Sequence, residues 1–116
     1  MKKDNRIFIE HILNSIEKIE EFLENKSKED FFNDEQLHEA VARKLEIVGE
    51  ATKNITKDFR EKHAEIPWRK IAGLRDVLIH EYFGIDLTIT WGIIKKDLPN
   101  LKEKIKNILS QLKDKK

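Results

Sequence analysis

A chain of 116 residues can bury one modest core but not two, which points to a single domain spanning residues 1–116. Hydrophobic and charged residues each contribute 39%, with four glycines and two prolines to make turns, a balance expected of a helical, heavily charged, soluble protein. The lack of cysteine excludes disulfides, thiolate nucleophiles and cysteine-ligated zinc. No apolar run approaches the roughly 18 residues needed to cross a bilayer, so a cytoplasmic protein without membrane contact is expected.

The net charge of +1 is no signature of a nucleic-acid binder by itself. Its distribution is uneven: residues 67–116 hold 11 Lys/Arg against 6 Asp/Glu, leaving residues 1–66 with a net −4. A solvated, lysine-rich last helix explains this as readily as a nucleic-acid surface does.

From Asp4 to about Glu24, Ile9, Ile12, Ile16, Ile19 and Leu23 recur at spacings of 3, 4, 3 and 4, one face of a helix. NKSKEDFFND has no such period and reads as a connection in which Phe31 and Phe32 cover the core. Asp34 is placed to cap a second helix carrying Leu37, Val41, Leu45, Val48 and Ile55 to about Asn54 or Ile55. TKDFREKHAEI either extends that helix or loops out. Pro67, with fixed φ and no N–H, suits the first turn of a third helix running to Phe83, and Gly84 follows its C-cap. Asp86 can cap the last helix, with Ile94, Leu98, Leu101, Ile105, Ile108 and Leu112 on its apolar face. Pro99 inside it should produce a kink or a restart capped by Asp97. The fold class expected is all-α, an antiparallel four- to five-helix bundle. The regular seams of the first and last helices suit an intramolecular core or a dimer surface.

The third helix carries the residues that look chemical, in GLRDVLIHEYFG. On a wheel at about 100° per residue, Trp68, Ile71, Leu74, Leu78, Ile79 and Tyr82 all lie within about 100° of Arg75. A guanidinium in the middle of an apolar face must be paired, must snorkel, or must line a cleft that receives an anion. Glu46 or Glu50 on a neighbouring helix would serve as its partner in the first case, and phosphate oxygens would match its fork in the last. His80 lies about 140° from Arg75, on the side of Asp76, so the two would converge only across a groove or with help from a second copy. His11, His38 and His63 read as solvated residues. There is no HExxH, no GxSxG and no phosphate-cradling glycine loop. A histidine with an arginine fits a metal-free ribonuclease, in which imidazole removes the 2′-hydroxyl proton and the guanidinium offsets charge on the phosphorane. One histidine is not both base and acid, and a symmetric dimer would bring two.

IPWRKIAGLRDVLIHEYFGID, followed by WGIIKKDLPNLKEKI, resembles the HEPN superfamily and, within it, the HepT-like toxins. Arg75, Asp76 and His80 match the superfamily signature, and Tyr82 completes the Arg-x4-His-x-Tyr pattern. FIEHILNSIEKIEEFL and AVARKLEIVGEA are similar to the family's first two helices, so the likeness covers nearly the whole chain. The resemblance implies a helical bundle that dimerises, with the motif helices facing a shared cleft. It implies RNA as substrate, Arg75 and His80 as catalytic residues needing no metal or other cofactor, and Asp76 as a supporting polar group. It further implies an MntA-type nucleotidyltransferase antitoxin that silences the toxin by transferring AMP to Tyr82, within a homodimer or a higher assembly with the antitoxin. Two other readings stay open: a non-catalytic subunit that binds a nucleotide or docks substrate for a nucleotidyltransferase, and a plain dimerising bundle in which Arg75 is a buried salt-bridge partner.

Overall fold

The computed structural model describes residues 4–74 and 87–114. Asp4 accepts a hydrogen bond from the Arg6 N–H at 3.1 Å and opens α1 (Asn5–Phe22). Ile9, Ile12, Ile16 and Ile19 form a single stripe with 0% exposure, each burial contributing about 1.5–3 kcal/mol. The helix ends at Leu23, and Asn25 takes φ 62° to turn the chain, a conformation asparagine tolerates better than most residues.

The expected connection contains a helix of its own, α2 (Lys28–Asn33). Ser27 and Asp30 cap it reciprocally: each side chain accepts from the other's backbone N–H, at 3.0 and 2.9 Å. Phe31 enters the core while Phe32 stays half-buried. Asp34 accepts from the Leu37 N–H at 3.1 Å and starts α3 (Glu35–Lys53), which ends at Asn54 as its apolar pattern implied. Ile55 is buried just past the helix end. The ambiguous stretch becomes a short helix, α4 (Lys57–Lys62), capped by the Thr56 hydroxyl, followed by a loop.

Two contacts give the helices their directions. Asn5, at the start of α1, exchanges hydrogen bonds of 3.1 and 2.9 Å with Thr56, just beyond the end of α3, so these two helices run antiparallel. Lys102, early in the last helix, reaches Glu20, late in α1, at 2.7 Å; that pair is antiparallel too. The all-α antiparallel bundle is therefore as expected, with α1 at its centre.

The third helix departs from expectation. Pro67 is its N-cap rather than its first residue, and α5 covers only Trp68–Ala72. Gly73, with φ −79° and ψ −4°, donates its N–H back to Arg69 at 3.1 Å, and the buried Leu74 is helical again. Glycine is about 1 kcal/mol worse than alanine inside a helix, and the regular turn gives way at this residue. The wheel drawn through Pro67–Phe83 lies outside the described residues from Arg75 onward.

The last helix is also modified. It consists of α6 (Leu87–Gly92), a π-helical turn (Ile93–Asp97) and α7 (Leu98–Asp114). The Leu98 N–H bonds to the Ile93 carbonyl, five residues back. Pro99 has no N–H, and its ring would crowd the carbonyl four residues before it; one wider turn accommodates both faults. Gly92 and Leu98 keep helical dihedrals on either side. The chain therefore passes Pro99 without the restart expected, and Asp97 is not a cap. Among the described residues no helix is long and apolar enough to cross a membrane.

Candidate functional site

Arg75, Asp76, His80 and Tyr82 lie outside the described residues, as do Gly84 and Asp86. The described residues form the frame that delivers the chain into residues 75–86 and receives it afterwards.

On the entry side, Trp68 is buried and its indole N–H is shared between the carbonyls of Arg60 at 3.1 Å and His63 at 3.0 Å. Those bonds fix the start of α5 to α4 and the turn after it. Ile71 and Leu74 are each 5% exposed, so the residue immediately before Arg75 is held in the core. On the exit side, Leu87 packs on the core and Thr90 is buried. The Trp91 ring lies 5.5 Å from Phe31, and Lys95 Nζ sits 4.8 Å over the indole. Among the described atoms the Thr90 hydroxyl has no hydrogen-bond partner. Entry and exit are joined directly where Lys70 Nζ meets Asp97 Oδ2 at 3.5 Å.

Between α5 and the π-turn lies a cavity of about 110 Å³. Ile71, Leu74, Ile93, Leu98 and Leu101 supply its apolar walls, and Lys70, Asp97, Asn100 and Lys104 stand at its mouth. Lys104 Nζ also donates to the Glu65 carbonyl at 3.0 Å. In the sequence Lys70, Asn100 and Lys104 look like ordinary helix surface, and Asp97 like a helix cap. Three of them carried a signal in their spacing: 97, 100 and 104 share one helical face, which Pro99 seemed to interrupt.

Glu46 and Glu50, the partners named for Arg75 in the salt-bridge reading, each have a contact along their own helix. Glu46 Oε1 is 2.8 Å from Arg43, and Glu50 Oε1 is 3.9 Å from Lys53. Two of the three histidines read as solvated are not. His38 directs Nε2 at the Phe31 carbonyl and its ring centroid is 5.0 Å from that of Phe31, because α2 folds back over the first turn of α3. His63 is 12% exposed, packs on Phe59 at 4.5 Å and lies 3.8 Å from Glu65. His11 is exposed, edge-on to Phe8. No group of three or more His, Asp or Glu placed to hold a metal ion occurs among the described residues.

A helical bundle with an arginine–histidine motif between two core-anchored helices is the form of a HEPN-like protein. Residues 12–108, which include the motif, match the family described as Ribonuclease HepT-like, and the chain belongs to that family. A protein of Methanocaldococcus jannaschii named "Gamma-glutamylcyclotransferase and putative RNase" is 51% identical over 112 residues, covering 97% of this chain and 50% of that protein; the chain thus spans half the length of that relative. A "Putative RNase" of Caldanaerobacter subterraneus subsp. tengcongensis is 49% identical over 96% of this chain and 99% of its own length. The "Probable ribonuclease HepT" of Thermococcus cleftensis is 47% identical, over 93% and 98% respectively. No solved structure matches the chain at a comparable level.

Proposed function

We propose that residues 1–116 act as one HEPN-like domain, a metal-independent endoribonuclease and the toxin of a toxin–antitoxin pair. The observation that carries this reading is the run Arg75, Asp76, His80 and Tyr82 inside a chain that matches the Ribonuclease HepT-like family over residues 12–108. His80 takes the proton of a ribose 2′-hydroxyl. The freed oxygen attacks the adjacent phosphorus, and the bond to the 5′-oxygen breaks to leave a 2′,3′-cyclic phosphate and a 5′-hydroxyl end. Arg75 offsets the charge that builds on the phosphorane oxygens, and Asp76 supports the pair. Protonating the leaving oxygen needs a second acid, which the histidine of a second copy supplies across a homodimer's cleft.

Tyr82, two residues past His80, is the acceptor of AMP from an MntA-type nucleotidyltransferase antitoxin. The adduct adds bulk and a negative phosphate beside Arg75, where the RNA phosphate would otherwise bind. The deciding experiment compares the wild type with His80→Ala for growth inhibition and for cleavage of an RNA pool. Toxicity and cleavage should both vanish in the variant while the helical fold persists. Equal RNA survival with both chains would sink the enzyme reading. An AMP adduct mapped to any residue but Tyr82, after incubation with ATP and the nucleotidyltransferase, would remove that part separately.

A further inference from the structure

Resting on the ribonuclease reading, we infer that the cavity between α5 and the π-turn holds one unstacked base of the RNA and sets which nucleotide sits near the cut. Its position comes first. Leu74 forms part of the wall and is joined by a peptide bond to Arg75, so a base lodged there is held beside the motif segment. Sequence-specific recognition of RNA acts mostly on single-stranded bases splayed out of the stack.

The size selects a single base. An apolar cavity of about 150 Å³ encloses a benzene ring. One of about 110 Å³ that opens to solvent takes most of one heterocycle and leaves the sugar outside. It is too small for two stacked bases.

The chemistry of the mouth fits a nucleotide better than an apolar side chain. The five aliphatic walls offer dispersion contacts to ring faces. Lys70 and Lys104 flank the opening with positive charge for the sugar–phosphate chain, while Asp97 and Asn100 offer acceptor oxygens to a base edge. A carboxylate acceptor favours a base whose exocyclic amine and ring edge offer it two N–H donors over uracil, which offers only N3–H between two carbonyl oxygens. The Lys70–Asp97 pair is 65% and 45% exposed. An exposed pair of this kind contributes little, so it can open to let a phosphate and a base amine replace the two partners. The π-turn belongs to the same arrangement. It supplies Ile93 and Asp97 to the cavity, and such turns often mark functional positions in helices.

The test is an abasic scan. Single-stranded RNA oligonucleotides, each lacking one base, are bound to the full-length His80→Ala chain and read by fluorescence anisotropy. One position should weaken binding about tenfold, and uridine there should bind less tightly than cytidine while exceeding the missing base. Asn100→Trp, which plugs the mouth from an exposed helix position, should abolish that dependence. Lys70→Ala should weaken all the RNAs to a similar extent. Circular dichroism reports whether each variant keeps its helices. A flat scan, a positional dependence that survives Asn100→Trp, or no RNA binding at all would overturn the inference. So would a plug that disrupts self-association and leaves RNA binding intact, because the cavity would then belong to a contact between copies. Binding with the expected scan but no cleavage by the wild type would instead count against the ribonuclease reading alone.

Discussion

Lys70 Nζ stands 3.5 Å from Asp97 Oδ2, joining the helix that leads into the motif segment to the π-turn that lies beyond it. Both side chains are largely exposed, 65% and 45%, so the bridge aligns the two elements more than it stabilises them. Asp97→Asn should therefore lower stability by less than about 1 kcal/mol. Urea denaturation at low and at high salt checks this: the loss should shrink further in salt, as screening removes what the wild-type pair contributes. A loss several times larger would show that the carboxylate does more than pair with one lysine.

Trp68 carries a heavier structural role. Its indole N–H satisfies two backbone carbonyls, those of Arg60 and His63, and its ring is 7% exposed. Trp68→Phe keeps most of the apolar area and leaves the carbonyls without that donor, a change expected to cost about 1–3 kcal/mol. Trp68→Ala adds a cavity and should cost about 3–5 kcal/mol. Chemical denaturation monitored by circular dichroism orders the three proteins. Both variants lose the indole donor, so the reverse order of Phe and Ala would mean that the phenyl ring is strained in the space the indole leaves.

Much of this architecture was legible in the sequence. The isoleucine stripe of α1 and the Asp34 cap of α3 are local signals, a period and a side-chain acceptor, and both helices follow them. Where the sequence misled, tertiary fit or a local competitor decided. Ser27 and Asp30 spell a capping box in a stretch lacking hydrophobic period, because α2 is too short to show one. Pro99 signals trouble for an α-helix but does not say whether a kink, a restart or a π-turn resolves it. His38 and His63 are half-buried for different reasons, α2 folding onto α3 in the first case and the neighbouring Phe59 and Glu65 closing on one side chain in the second. The cavity was least legible, since it exists only where α5 meets the π-turn. Of the candidate site, the motif residues come from the likeness to the HepT-like family and lie outside the described residues, while the frame of Trp68, Trp91 and the Lys70–Asp97 bridge needed the fold.

The α2 capping box makes the pH dependence of one element predictable. Backbone and hydroxyl hydrogen bonds from Ser27 hold the Asp30 carboxyl below its ordinary value of 3.8. A carboxyl lowered in the folded state contributes stability that is full above 3.8 and lost as the pH falls through the lower folded value. Amide protection around α2 should hold at neutral pH and decline in acid, and Asp30→Asn should flatten the part of that decline due to this carboxyl. Hydrogen exchange followed by NMR at a series of acidic pH values would show it. An unchanged acid profile in the variant would mean that other carboxylates govern the region.

Pro99 gives the prediction whose sign is least intuitive. In an uninterrupted helix, replacing an interior proline by alanine would gain about 3 kcal/mol. Here the π-turn has already removed the clash and the missing donor: Leu98 bonds five residues back to Ile93, and α7 continues with helical dihedrals. Returning to an α-turn would rotate α6 against α7 by about 100°. Such a rotation would carry Trp91 off Phe31, 5.5 Å away, and would open the walls made by Ile93 and Leu98. The packing therefore keeps the wide turn when Pro99 becomes alanine, and the clash penalty is not recovered. What remains is the unfolded chain, which alanine leaves freer than proline does, so Pro99→Ala should lower stability by about 0.4–1 kcal/mol. Thermal and urea unfolding measure the sign directly. A gain near 3 kcal/mol would show that the π-turn is held by the proline alone and relaxes once it is gone.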